Sequence, residues 1–239
     1  MKNLIIASAA IALISSCNVI SGDMITGNGN IRTEKRNTGN FNSVKASGAI
    51  DVEISNGDAY AVSVEDDDNI LPYIITEVNN GVLNVHYRDN TSINNDHGKV
   101  YVTAPTLEKI ISSGSADITS QDIIKNSQQI TLTASGSGNI KIGVDAPETE
   151  ASVSGSGNVS LHGRTKDFTC HISGSGDLNC KSFQSENTTV TVSGSGNAHV
   201  FASVHLSASV HGSGDVFYSG NPANPEIHTS GSGSVQAEK

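Results

Sequence analysis

The sequence predicts an all-β fold, a right-handed parallel β-helix (β-solenoid) of about 19–20 residues per coil, on three observations. First, the phrase Ser-Gly-Ser-Gly, followed by Asn or Asp and then an apolar residue, recurs through the second half of the chain. The first glycines of its copies, Gly114, Gly136, Gly155, Gly174, Gly194, Gly212 and Gly231, stand 22, 19, 19, 20, 18 and 19 residues apart. Second, apolar residues alternate on both sides of each copy, which is the period of a strand. Third, there is no Trp, aromatic residues make up only 4% and there are 24 Gly, so a thin Val/Ile/Leu/Ala core suits the chain better than a bulky one. Right-handed winding is the expected sense for parallel crossovers.

Taken in order, the chain opens with Lys2, an uncharged apolar run from Leu4 to Leu13, and Ile14-Ser15-Ser16-Cys17. This is a processing segment and does not belong to the fold. It resembles a bacterial lipoprotein signal, which implies that residues 1–16 are removed and Cys17 becomes the lipidated (palmitate-bearing) first residue. Residues 17–40 are polar and Gly/Asn-rich and predict a flexible tether. Residues 41–105 predict an irregular β part. Ala49 to Ile54 and Tyr60 to Val64 alternate, Glu77 to Leu83 reads as a hairpin around Asn80-Gly81, and Val100-Tyr101-Val102 is one more strand. Glu65-Asp66-Asp67-Asp68-Asn69 predicts a solvated turn. The stretch Ala46-Ser47-Gly48-Ala49-Ile50-Asp51-Val52 echoes the repeat, so this part is expected to run into the stack as its first coils or its cap. Residues 106–239 are the repeat coils, joined by connectors such as Asp145-Ala146-Pro147, too short and polar for a crossover helix.

Counting parity from each marker glycine places Leu132, Ala134, Ile140 and Ile142, and their equivalents in later coils, on the inside. Both glycines of each phrase share that parity and are expected to face inward, where two walls of the coil close. Outward on the strand entering the phrase stand Thr131, Thr133, Ser135; Ser152, Ser154; Thr169, His171, Ser173; Thr189, Thr191, Ser193; and Ser209. These make a flat hydroxyl-rich face, a candidate for binding a glycan or a protein surface. Small hydroxyls also suit any solvated strand or tight bend, so a purely structural role stands beside it. An ice-binding lattice fits less well, because the columns mix Ser, Thr, His and Glu.

The lipoprotein signal, the stretch Phe41-Asn42-Ser43-Val44 with Ser47 to Val52, and the SGSG[N/D]-apolar coils together resemble the putative auto-transporter adhesin, head GIN domain family of bacteria. The resemblance covers Phe41 to Val235. It implies a right-handed parallel β-helix and, by the family's name, an adhesive role; with the lipoprotein signal and the absence of a catalytic cluster, the expectation is a non-catalytic, adhesin-like module of the cell envelope.

The remaining chemistry is sparse. The outward column Asp117, Asn139, Asn158, Asp177, Asn197, Asp215 and Ser234 predicts an Asn/Asp ladder over the bend in preference to a calcium site, because Asp residues do not adjoin in successive coils after Asp117. The histidines never share a column in neighbouring coils, so no metal site or cofactor is expected. Cys170 and Cys180 fall in inward columns, as two buried thiols or as one disulfide across the coil. No catalytic residues are assigned. A polysaccharide-cleaving β-helix would need clustered carboxylates with Arg or Lys, and it is the lesser alternative to binding or to a self-associating envelope scaffold. A net charge of −10 argues against nucleic-acid partners. The lipid anchor implies an outer-membrane location, periplasmic or surface-facing.

Overall fold

A computed structural model describes residues 23–94 and 97–238; the signal segment and Cys17 lie outside the described residues. The molecule is a stack of parallel strands with no α-helix among the described residues, only a single 3-10 turn at Leu71–Tyr73. One wall is built from the strands that enter each phrase. Ser43–Gly48, Lys109–Gly114 and Gln129–Gly136 pair in parallel, followed by the second halves of the long strands Ile140–Gly155, Val159–Gly174 and Leu178–Gly194, then His205–Gly212 and Glu226–Gly231. The strands leaving the phrase build the opposite wall, from Asp51–Asn56 and Ile118–Lys125 to Ala198–Ala202, Val216–Gly220 and Val235–Ala237. Repeat register is kept throughout: Gly48, Gly114, Gly136, Gly155, Gly174, Gly194, Gly212 and Gly231 form one column.

Stacking order departs from chain order at the amino-terminal end. Val82–Tyr87 and Lys99–Ala104 pair in parallel beneath Ser43–Gly48 and Asp51–Asn56, although they come later in the sequence. After its first coil the chain therefore travels down, lays another layer, and returns to place Gly114 beside Gly48. Antiparallel strands close this end. Ile74–Asn79 caps Val82–Tyr87, while Ala61–Asp67 caps Lys99–Ala104 and is itself covered by Ile31–Arg36. Antiparallel caps block further parallel addition at an otherwise open edge.

Three expectations are corrected here. Residues 23–36 are not a tether, because Asp23–Thr26 pairs with Thr91–Asn94 and Ile31–Arg36 with Ala61–Asp67. The second of these is an exposed edge strand. Backbone pairing holds it without any buried face, so it shows no apolar period. The polar connectors are also strand: hydrogen-bonded register runs unbroken from Gly143 to Glu148 against His162 to Asp167, save at Pro147, and makes a third wall. Phe168 and Phe183 fill that corner edge to face, with ring centroids 5.2 Å apart. Finally, the acidic run is not a solvated turn, since Asp66 and Asp67 are 0% and 2% exposed. Asp66 Oδ1 accepts from the Asp67 N–H at 2.7 Å, and a Cβ on Gly27 would stand 2.0 Å from Asp67 Oδ2, so the Gly27–Asn30 loop closes directly over the pair.

The core is the thin aliphatic column expected from parity. Leu132, Ala134, Ile140, Ile142 and their equivalents Ala151, Val153, Val159 and Leu161 are all at most 2% exposed. Burying each such side chain contributes about 1.5–3 kcal/mol for the larger aliphatics, repeated coil after coil. The column ends abruptly at the carboxy-terminal coil, where Ile227 is 43% exposed.

The marker glycines of the phrase act differently from the expectation. Marker glycines from Gly114 onward have φ between +110° and +146° in the phrase, a region closed to L side chains, and this turns the Cβ direction out of strand parity. A Cβ on Gly174 would stand 2.4 Å from the Gly155 carbonyl oxygen, and one on Gly176 would stand 1.9 Å from that of Gly157. Both glycines thus permit close approach of neighbouring coils along the stack; the second one is also buried, and a Cβ on Gly176 would meet the interior Val153 Cγ1 at 2.8 Å, as its inward parity predicts. In return, the Ser175 and Gly176 N–H groups both donate to the Gly155 carbonyl, at 2.8 and 3.0 Å. The same paired grip recurs from Ser137/Gly138 to Ser232/Gly233.

Candidate functional site

The parallel register brings the predicted outward residues onto one wall in three columns. The first runs Thr131, Glu150, Thr169, Thr189 and Ser207; the second Thr133, Ser152, His171, Thr191 and Ser209; the third Ser135, Ser154, Ser173, Ser193 and His211. Successive members of a column are about 4.8 Å apart, the spacing of hydrogen-bonded strands. Every one of these side chains is exposed or half-exposed, because the alternate residues Leu132, Ala134 and their equivalents take the interior. Among the described residues, none of Thr131, Thr133, Ser135, Ser152, Ser154, Thr169, His171, Ser173, Thr189, Thr191, Ser193 and Ser209 has a side-chain hydrogen-bond partner within the protein. The opposite wall contrasts with this in carrying ion pairs: Lys99 Nζ meets Glu53 Oε2 at 2.5 Å and Lys181 Nζ meets Glu238 Oε1 at 3.3 Å.

Each column continues below the perfect repeats into residues that repeat-matching alone does not reach. The second passes through Ile111, Lys45 and Asn84 to Glu77, and the third through Ser113 and Ser47. Here the face deepens into a cleft of about 870 Å³, lined by Lys45, Gly48, Glu77, Asn84, His86, Arg88 and Asp89 among others. The signal that leads to Lys45 is the faint repeat echo: three positions before Gly48 stands a lysine on a face that otherwise lacks one in its regular coils. Within the cleft Glu77 accepts from Asn79 Nδ2 at 2.9 Å, His86 Nδ1 lies 2.7 Å from the Tyr87 carbonyl, and Arg88 donates to the Pro72 carbonyl at 3.0 Å while its guanidinium lies 5.0 Å from the Tyr73 ring centre.

The Asn/Asp column forms a continuous ladder. Asn139 donates its N–H and Nδ2 to Asp117 Oδ1 at 2.8 and 2.9 Å, Asn158 repeats this on Asn139 Oδ1 at 3.1 and 2.8 Å, and the Asp177 N–H reaches Asn158 Oδ1 at 2.9 Å. It runs from Asp51 to Ser234. Oδ1 of each Asn or Asp is engaged by the coil above, which spends the column on the fold.

The other sequence-predicted groups are scattered. His199 stacks on Phe217 with ring centroids 4.8 Å apart and its Nδ1 lies 3.4 Å from Glu238 Oε2. Among the described residues, no group of three or more His, Cys, Asp or Glu side chains is placed to hold a metal ion. Cys170 and Cys180 are both buried and unbonded, and burial pushes both thiols well above their ordinary range.

With this geometry in place, comparison with known proteins is specific. The family model for the putative auto-transporter adhesin, head GIN domain, matches residues 40–222. A solved structure of a putative adhesin from Bacteroides fragilis superposes with a TM-score of 0.85 at 20% identity, covering 90% of this chain and 100% of that one. A putative lipid binding protein from Parabacteroides distasonis gives 0.76 at 23% identity, over 91% of this chain and 100% of that one. A putative adhesin from the same organism gives 0.70 at 25% identity, over 90% and 100%. Comparison with curated proteins returns no match.

Proposed function

Because this chain belongs to the putative auto-transporter adhesin, head GIN domain family, we propose that it is a binding and display module of the cell envelope whose hydroxyl-rich wall engages a glycan or a protein surface. The observation that carries this reading is the lattice of twelve side chains, Thr131 to Ser209, whose hydrogen-bonding capacity is left unused by the protein itself. A hydroxyl both donates and accepts, so such a lattice can match the alternating donors and acceptors of a saccharide or of an exposed backbone. Lipidation at Cys17, after removal of residues 1–16, would fix the module to the outer membrane. Among the described residues no helix is long and apolar enough to cross a membrane.

The test is the paired substitution Thr133→Lys with Thr191→Lys. Both residues stand in the second column, three coil steps or about 14 Å apart. Partly exposed substitutions of this kind change stability by about 0.5 kcal/mol or less. Adherence of cells displaying the doubly substituted protein should be lost, and undiminished adherence would remove the hydroxyl wall from the interaction.

A second reading, self-association as a scaffold, has one observation in its favour. The amino-terminal end is closed by antiparallel strands, whereas Glu226–Gly231 and Val235–Ala237 end the stack with Ile227 43% exposed. Light scattering over a concentration series decides it: end-to-end association is reversed by Ile227→Lys, and a monomer at every concentration sinks it.

A further inference from the structure

The opposite wall carries a smaller pocket, of about 310 Å³, at the amino-terminal end of the stack. Three strands bring its residues together. Ile31–Arg36 pairs with Ala61–Asp67, which pairs with Lys99–Ala104, so Lys35, Ser63 and Tyr101 stand in one row and Ala61 and Thr103 in the next. Val62, Val64, Val100 and Val102 are at most 3% exposed, and the residues alternating with them turn outward.

The pocket has aromatic sides and a small floor. Tyr60 and Tyr101 line it, roughly 10 Å apart along the strands, because Tyr60 precedes by three residues the Ser63 that pairs with Tyr101. Both rings are held in place: the Lys99 ammonium lies 5.6 Å from the Tyr101 ring centre, and Phe41 packs on Tyr60 with centroids 5.1 Å apart. Ala61, Ser63 and Thr103 are small enough to leave the space between them open. Among the described residues, the Ser63 and Thr103 hydroxyls have no hydrogen-bond partner within the protein.

Charge sets this pocket apart from the chain as a whole. Its lining includes Lys35 and Arg36 and no carboxylate, in a protein of net charge −10. Arg36 is engaged by the fold, donating to the Leu71 carbonyl at 2.8 Å and lying 3.4 Å from Glu34 Oε1. Lys35 has no hydrogen-bond or ion-pair partner among the described residues. Beside the pocket, Glu65 accepts from the Tyr101 and Thr33 hydroxyls at 3.4 and 3.2 Å. One unpaired ammonium, two tyrosine rings and two unused hydroxyls match a ring that carries a carboxylate, an apolar face and hydroxyls of its own.

We propose that this pocket is a binding site for an acidic saccharide. A uronic acid ring lies against Tyr60 and Tyr101, its carboxylate meets the Lys35 ammonium, and its hydroxyls bond those of Ser63 and Thr103. The site shares no residue with the hydroxyl wall and does not depend on it.

The experiment is a titration of ¹⁵N-labelled protein with glucuronate, glucose and benzoate, followed by amide NMR. Glucuronate should shift the Ala61, Ser63 and Thr103 signals saturably and leave those of Thr133 and Thr191, on the hydroxyl wall, in place. Glucose, which lacks the carboxylate, and benzoate, which lacks the hydroxyls, should each bind roughly tenfold more weakly, the usual effect of losing one charge-assisted contact or a set of hydrogen bonds. Lys35→Met should weaken glucuronate by a similar factor. Lys35 is exposed on an edge strand, so this variant keeps the fold, and an unchanged spectrum away from the pocket verifies it. Absence of a saturable shift at the three pocket amides overturns the site, and movement at Thr133 and Thr191 alone does so while leaving the hydroxyl wall standing. Glucose binding as tightly as glucuronate, or an unchanged affinity in Lys35→Met, overturns the role of the carboxylate. Benzoate binding as tightly overturns the saccharide assignment.

Discussion

Replacing Gly174 with alanine is expected to cost several times more than the same change at Gly48, and the difference isolates the contact that holds coil to coil. At Gly174, φ is +132° and the new Cβ would stand 2.4 Å from the Gly155 carbonyl oxygen and 3.0 Å from its nitrogen. That oxygen cannot withdraw without loosening two hydrogen bonds, from Ser175 at 2.8 Å and Gly176 at 3.0 Å. Backbone strain accounts for about 1–3 kcal/mol and the two weakened bonds for about 1 kcal/mol each. The sum is about 3–5 kcal/mol, a large part of the total for a domain of ordinary stability. At Gly48 the conformation is also left-handed, but nothing lies within 4 Å, so only the strain applies. Urea denaturation followed by far-ultraviolet circular dichroism, on both variants and on exposed Ser175→Ala as a control, gives the comparison. Equal losses at Gly174 and Gly48 would show that conformation alone sets the need for glycine and would refute the coil-to-coil argument.

Asn158→Ala should cost about 1–2 kcal/mol in the same assay, because it leaves the Asp177 N–H without its acceptor at 2.9 Å and removes the donor to Asn139; no change would mean that the ladder is not a source of stability. Phe168→Ala should cost about 3–5 kcal/mol, since the ring is 2% exposed and packs edge-on against Phe183. For Cys170 and Cys180, burial holds the thiols protonated in the folded chain while the unfolded chain releases their protons above about pH 8.5. Stability from this source is therefore complete below that pH and falls above it, by about 1.4 kcal/mol per pH unit for each thiol. Urea midpoints at pH 8 and pH 10 should show this fall in the native protein and not in Cys170→Val/Cys180→Val; an equal fall in both would assign it to other groups.

Much of the coil was legible because one short phrase recurs at nearly constant spacing and strand parity is strict. Leu132, Cys170 and Val190 could be placed inside, and Thr133 and Thr191 outside, by counting alone. The count failed at the marker glycines because parity assumes extended backbone, and a positive φ at Gly174 redirects the Cβ vector along the stack. It failed at Asp66 and Asp67 because their burial comes from the Gly27–Asn30 loop, some forty residues distant in the chain. Strand Ile31–Arg36 escaped because an edge strand stabilised by backbone bonds needs no apolar pattern.

Sequence alone therefore determined the period, the aliphatic column, the Asn/Asp ladder and the hydroxyl wall, since each follows from local residue order and repeats with it. Tertiary structure decided where the stack begins, which coil lies beneath Gly48, and what the end of the glycine column faces. Those depend on residues 57–105 leaving the stack and returning beneath its first coil. No local pattern encodes that path, because the strands along it find their partners only when the whole chain is in place.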